Sequence, residues 1–329
     1  MLRSGALLIA TSLVTIMAVG PASLAQESAQ PQIIMVSGPL FDPFFSALKK
    51  GADDAATHLG ITYQYSTVQD VNNVQADMAR VVDQAVAVEP DALVVGNFFP
   101  DAQNPIIRRA AAQGIPVIIQ DGGFASWQEN GAISYVGYNP EEVGLQAGAF
   151  HRDHGVENAL CVNHVPGNPT LEAACTAFLS VIEEAGGKGR VLTIALQDAQ
   201  NPQANLQAMR GALESDPTID GIMTLGGTQA SLAAQAADEA GYGAGEIIIG
   251  GSGLTTQVLE KVRDGEVAFA IDLQPYLSGY YGLLLAYHKV VYDLVPAEPV
   301  IIGPRFVFAD EAQPILDINA QYTGIRGIN

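Results

Sequence analysis

The strongest constraint on this chain is its rhythm. From residue 32 to residue 291, short apolar runs alternate with longer amphipathic ones almost without a break. The apolar runs fall at 32–38, 62–67, 92–97, 116–121 and 133–137, then at 159–164, 191–197, 221–225, 246–250 and 267–273. The amphipathic stretches fall at 43–59, 72–88, 102–113, 141–154 and 169–185, then at 202–214, 228–240, 255–263 and 276–291. In the first of them Phe44, Phe45, Leu48, Ala52, Ala55 and Leu59 recur at helical spacing. "ALVVGN", "PVIIQD" and "EIIIGG" are continuous apolar runs, as expected of strands covered on both faces. Strand–helix alternation of this kind predicts an α/β fold with parallel sheets and crossover helices. Ten strands would make one very large open sheet, so two sheets of about five to six strands are expected. One series ends and the next begins near residues 134–139.

The opening "MLRSGALLIATSLVTIMAVGPASLAQ" has a different character. Arg3 gives a positive start, residues 6–20 form an apolar run too short for a comfortable span, and Ser23-Leu24-Ala25 offers small residues. This predicts a secretory signal peptide over residues 1–25, cut after Ala25. No cysteine lies near the cut, which argues against a lipid anchor, and no later stretch reaches the ~18 uninterrupted apolar residues of a membrane helix. About 300 residues remain, enough for two cores. Apolar content of 48% with only 15% charged residues predicts a compact chain. A net charge of −20 repels phosphate backbones and excludes nucleic acid as a partner. In an oxidising compartment Cys161 and Cys175 are expected to pair as a disulfide if their Cβ atoms face each other; the alternative is two buried thiols.

In open parallel sheets, ligands sit beyond the carboxyl ends of the strands. The residues there are Asp42, Asn97, Asp121, Asn163, Asp198, Gly226, Ser252, Asp272 and Gln274, a polar set rich in aspartate and poor in Lys and Arg. Asp42 before Pro43 is a good helix start, with Asp as the cap and Pro at the first helical position. A cap alone leaves Phe41, Phe44 and Phe45 unexplained, since adjacent rings cannot both face the core. An exposed ring beside a carboxylate suits a sugar, with an apolar face to stack and hydroxyls to bond. Asp121 ends "IPVIIQDGG", as a ligand contact or a turn aspartate. Asp272 and Gln274 lie in "AFAIDLQPY", where a carboxylate within an apolar strand is costly unless paired or bound to something. Asp198 is a contact or a cap, and Asn97, Asn163 and Ser252 are weaker candidates. Trp127 is a loop anchor or a contact.

Other motifs carry no chemistry. His151 and His154 of "HRDH" sit one turn apart without a third ligand and read as a solvated helix end. "GGTQAS" and "GGSGLTT" are glycine-rich turns without the lysine of a phosphate loop or a dinucleotide fingerprint. There is no Gly-x-Ser-x-Gly elbow and no convincing cysteine–histidine pair, so no enzyme activity, cofactor or metal is expected.

These segments resemble the periplasmic sugar-binding proteins of ABC importers, the ribose-binding type. "IIMVSGPLFDPFFSALKKGADDAATHLG" resembles that family's first strand and helix, "GIPVIIQDGG" its "IPVI-x-x-D" segment, and "GEVAFAIDLQPYLSGYYG" a segment that recrosses between lobes. The resemblance implies two similar lobes, each a parallel sheet flanked by helices, joined by a multi-strand hinge. It implies an N-terminal lobe of 26–135 plus 274–302 and a C-terminal lobe of 136–273 plus 303–329. Crossings would fall near 134–139, 272–274 and 302–304. Asp42, Phe44, Phe45, Asp121, Asp272 and Gln274 then fall on pocket positions, with Asp198, Gly226 and Ser252 aligned less surely. The implied protein is a periplasmic monomer that closes on a sugar or polyol and delivers it to an ABC transporter permease.

Departures bear on the ligand. Gly122 and Ala174 stand where ribose-type members usually carry arginines, and Gly226 and Ser252 replace an asparagine and an aspartate. A pocket with up to four aspartates and no arginine would suit a polyol, a different sugar or a positively charged ligand. The rival readings are a ligand sensor for a chemoreceptor or histidine kinase and a secreted α/β hydrolase.

Overall fold

The structure, a computed structural model, describes Met1 and residues 30–69 and 73–327. The expected signal peptide, residues 1–25, lies outside the described residues apart from Met1. The chain first runs through β1 (Ile33–Val36), α1 (Pro43–Leu59), β2 (Gln64–Ser66), α2 (Val74–Ala87), β3 (Ala92–Val95), α3 (Pro100–Ala112), β4 (Val117–Gln120) and β5 (Ser134–Tyr138). It continues through α4 (Pro140–Asp153), β6 (Asn158–Asn163), α5 (Pro169–Glu184), β7 (Lys188–Thr193) and a 3-10 turn at Leu196–Asp198. Then come α6 (Pro202–Ser215), β8 (Gly221–Thr224), α7 (Gly227–Glu239), β9 (Ile248–Ser252), α8 (Thr256–Arg263) and β10 (Phe269–Asp272). It closes with α9 (Pro275–Tyr292), β11 (Val300–Gly303), β12 (Arg305–Val307) and α10 (Ala309–Gln321).

Two six-stranded sheets result, ordered β11-β5-β4-β3-β1-β2 and β12-β10-β9-β8-β6-β7. The second order repeats the first strand for strand, with β6 in the place of β1 and β12 in the place of β11. The pairings of the first sheet are parallel, and β12 runs antiparallel to β10 in the second. Strands β1, β3 and β4 are buried along their whole length, which explains their unbroken apolar character. Helix α1 starts at the Asp42 cap with Pro43 in its first turn and stops at Gly60, which takes the left-handed conformation at φ +67°. Helices α1 and α9 lie backbone to backbone: a Cβ at Gly51 would run into the Tyr276 carbonyl, and one at Gly279 into the Leu48 carbonyl.

The chain passes between the sheets after Tyr138, between Asp272 and Pro275, and between Gly303 and Arg305. The first sheet holds the chain through Tyr138, beyond the expected boundary at 135. In the second lobe Cys161 of β6 and Cys175 of α5 form a disulfide, with their Cα atoms 5.6 Å apart.

The elements after residue 292 escape a periodicity reading for physical reasons. Strands β11 and β12 are short and only partly buried, and α10 contains Pro314. Strand β7 sits at an edge and is largely exposed, with Lys188 and Arg190 in it, so its apolar centre misplaces it. His151 is not part of a solvated helix end. It is fully buried, with Nδ1 2.8 Å from the Ala147 carbonyl and Nε2 within 3.3 Å of those of Ile222 and Ile248. Burial lowers its pKa. Only His154 is exposed, stacked on Phe150 at 4.0 Å.

Candidate functional site

A cavity of about 300 Å³ opens between the carboxyl ends of the two sheets. The first sheet's wall combines carboxylates with rings. Asp42 caps α1, accepting from the Phe44 N–H at 2.9 Å, while its half-buried carboxyl is raised in pKa by burial. Capping and cavity lining are thus compatible in one residue. Phe44 and Phe45 both line the cavity, edge to face at 5.1 Å, and Phe45 meets Phe98 of the next strand end at 5.4 Å. Gly38 makes room for this, since a Cβ there would run into the Phe45 ring. Phe41 is 52% exposed and lies outside the cavity.

Asp121 follows β4 in the left-handed conformation, φ +55°, which short polar side chains tolerate better than most. Its backbone is pinned: its N–H donates to the Val136 carbonyl at 2.9 Å, and its carbonyl accepts from the Tyr135 hydroxyl at 3.0 Å. Oδ2 accepts from the Ser278 hydroxyl of α9 at 2.9 Å, while buried Oδ1 has no partner. Burial pushes this carboxyl up to about 7, against the pull of the Ser278 bond. A buried acceptor left unpartnered is costly, and a ligand hydroxyl would relieve that cost.

The second sheet's wall is neutral apart from Asp272 at the end of β10, which is paired with Arg326. Ser252 at the end of β9 and Gly226 before α7 line it. A side chain at Gly226 would push the Gln229 side-chain tip aside, because its Cβ would run into Gln229 Oε1 and stand 3.1 Å from His164 Cε1. His164, half-buried, has a buried Nδ1 without a partner, and burial lowers its pKa to about 4. Asn168, Thr170 and Gln229 are among the further polar lining residues.

Where the chain crosses, Asp272 is 1% exposed and lines the cavity. Its Oδ1 accepts from the Gln274 N–H at 2.8 Å and its Oδ2 from Arg326 Nη1. Burial raises its pKa, opposed by Arg326. The expectation of a cavity without arginine is therefore corrected: Arg326, brought back by the segment after α10, lies in the lining. It sits beyond the last strand–helix unit, where strand-end reasoning does not reach.

Several expected contacts lie elsewhere. Asn97 is buried behind the wall, donating to Asn104 at 2.8 Å. Asn163 caps its own turn, accepting from the Val165 N–H at 3.0 Å. Asp198 sits in the 3-10 turn, its carbonyl accepting from Asn205 at 2.8 Å. Gln274, at φ +55°, donates its side-chain amide to the Ile302 carbonyl and ties two crossings together. None of these four is part of the lining. Trp127 packs on the first sheet's core as a loop anchor. A Cβ at Gly122 would stand 2.7 Å from the Asn97 carbonyl oxygen and 2.8 Å from the Phe98 ring, and Ala174 is buried where α5 meets Gly144 of α4. Neither position opens onto the cavity.

Comparison with known proteins adds an independent line. A family model described as periplasmic binding protein domain matches residues 33–291. A xylose/arabinose-binding protein of Sulfolobus acidocaldarius is 24% identical, with 89% of this chain and 74% of the relative covered. A ribose import binding protein of Haemophilus influenzae is 25% identical, covering 84% of this chain and 91% of its own. The crystal structure of a carbohydrate transporter from Acidothermus cellulolyticus, in complex with myo-inositol, superposes with a TM-score of 0.81 at 28% identity, over 90% of this chain and 100% of that one. With the twin sheets, the cleft between their carboxyl ends and a family match across most of its length, the chain belongs to the periplasmic binding protein domain family.

Proposed function

We propose that this protein captures one uncharged sugar or polyol in the cleft, closes on it about the three crossings, and delivers it to an ABC transporter permease in the periplasm. The observation that carries the reading is the convergence of Asp42, Asp121 and Asp272, far apart in sequence, on one cavity that also holds the Phe44, Phe45 and Phe98 rings. Rings offer a face to a sugar's C–H surface, and carboxylates accept from its hydroxyls. Such charge-assisted bonds contribute roughly 1.5–3 kcal/mol each. The pairing of Asp272 with Arg326 cancels one negative charge and favours an uncharged ligand over a cationic one. The ligands and names of the relatives, myo-inositol, ribose and xylose/arabinose, point to the same chemical class.

Closure would bring the second wall onto a ligand first seated against the first wall, with Gln274 and Ile302 moving as one joint. The test is a thermal-shift screen of the purified protein with D-ribose, D-xylose, D-glucose, myo-inositol and small amines. A ligand at a hundred times its Kd stabilises the folded state by about 2.7 kcal/mol. At least one neutral sugar or polyol should raise the Tm. A rise with amines alone, or with none of them, sinks the sugar reading and leaves the fold untouched.

A further inference from the structure

The segment after α10 belongs to one lobe and reaches the other. Ala312 and Ile315 of α10 are part of the second sheet's core. Gly327, a few residues on, lies against the start of α1, where a Cβ on it would stand 2.9 Å from the Pro43 carbonyl oxygen. Between these anchors Arg326 enters the cavity, its side chain 22% exposed, and meets the 1% exposed Asp272. Both oxygens of Asp272 are engaged, by the Gln274 N–H and by Arg326. A guanidinium carries five N–H donors in a fixed fork, and among the described residues Arg326 donates to Asp272 alone. Its remaining donors stand at a cavity that already holds Asp42 and Asp121.

A hydroxyl both donates and accepts, so it can bridge an aspartate and an arginine. An ammonium only donates, and beside a guanidinium it meets a like charge in a partly desolvated space. We infer that Arg326 is a specificity-determining residue of this cleft, selecting uncharged polyhydroxyl ligands over amino sugars by donating to a ligand oxygen while it neutralises Asp272. This rests on the sugar reading above. It also makes the C-terminal segment a ligand-binding element.

Titration calorimetry of the full-length protein tests this, with D-ribose, D-xylose, D-glucose, D-galactose and myo-inositol as neutral probes and D-glucosamine and D-galactosamine as cationic ones. In Arg326→Met the best neutral probe should lose at least tenfold in affinity. The preference for that probe over the better amine should also fall at least tenfold, because an unpaired carboxylate now faces the cavity. The Asp272→Asn/Arg326→Met variant removes the stranded charge and guards against misfolding; it should keep the loss for the neutral probe. Full recovery of neutral-probe affinity in that double variant would make Arg326 a mere counter-ion and overturn the inference. So would an unchanged affinity and preference in Arg326→Met. Failure of the wild type to bind any neutral probe overturns this inference and the sugar reading together, whereas wild-type binding with an unshifted preference overturns this one alone.

Discussion

The two walls of the cleft stand on the same strand order and carry different chemistry. The first presents Asp42 and Asp121 among the Phe44, Phe45 and Phe98 rings; the second presents His164, Asn168, Thr170, Gln229 and Ser252, and its one carboxylate among the described lining residues, Asp272 at the end of β10, is paired with Arg326. The strands set where a side chain emerges, and the residue or two beyond each strand sets what emerges. Duplicating a scaffold therefore does not duplicate a site. The first wall supplies strong acceptors, and the neutral groups of the second donate or accept as the ligand requires.

The largest effect should come from Asp121→Ala. Losing the bond of about 3 kcal/mol that its ionised carboxylate would accept weakens binding more than a hundredfold by calorimetry above pH 7. Ser252→Ala on the second wall should cost far less, and an equal loss in the two variants would break the comparison. The lobes differ in covalent support as well. Replacing Cys161 and Cys175 together by Ala opens a loop spanning 14 positions in the second lobe. It should lower that lobe's stability by about 3 kcal/mol, read as an earlier unfolding transition, with ligand affinity nearly unchanged. Gly226→Asn forces a side chain against Gln229 and His164 and should cost about tenfold in affinity, roughly 1.4 kcal/mol, with little change in the ligand-free Tm.

The smallest effect is a difference in sign. Asp121, raised to about 7, keeps its proton in the folded state up to that pH, whereas the unfolded chain releases it near pH 4. The folded state then binds more protons, and this carboxyl makes stability fall as pH rises from about 4 to about 7. His164, lowered to about 4, is neutral when folded at pH values where the unfolded chain is protonated, and makes stability rise from about pH 4 to 6.5. Urea midpoints between pH 4.5 and 7.5 should therefore show a more positive slope in Asp121→Asn and a more negative one in His164→Gln. Slopes shifting in the same direction would contradict the opposed titration of the two walls.

The sequence made the alternation, the sheet class and the strand-end aspartates legible because each depends on local pattern. Asp42, Asp121 and Asp272 all reached the cavity. Where single residues were misjudged, the slip was often one position: Phe98 lines the cavity rather than Asn97, His164 rather than Asn163, and Leu273 rather than Gln274. Side chains alternate sides along an extended chain, so locating a strand end to within one residue leaves the facing side chain undecided. His164 closes the same apolar run as Asn163, so a signal for it was present. Arg326 had none, because its position depends on the C-terminal segment folding back over the cleft. The disulfide lay between the two, since spacing admits it and only the packing of α5 on β6 brings the sulfurs together.

The touching backbones of α1 and α9 have a mechanical consequence. One helix begins at the residues that greet the ligand; the other begins at the joint and carries Ser278 to Asp121. With no side chains at Gly51 and Gly279 to act as a cushion, the pair would behave like a stiff lever in the closure proposed above, passing a tilt at the joint to the ligand's edge. Adding even one methyl group to that seam should force the two helices apart and lower the Tm together with the ligand affinity.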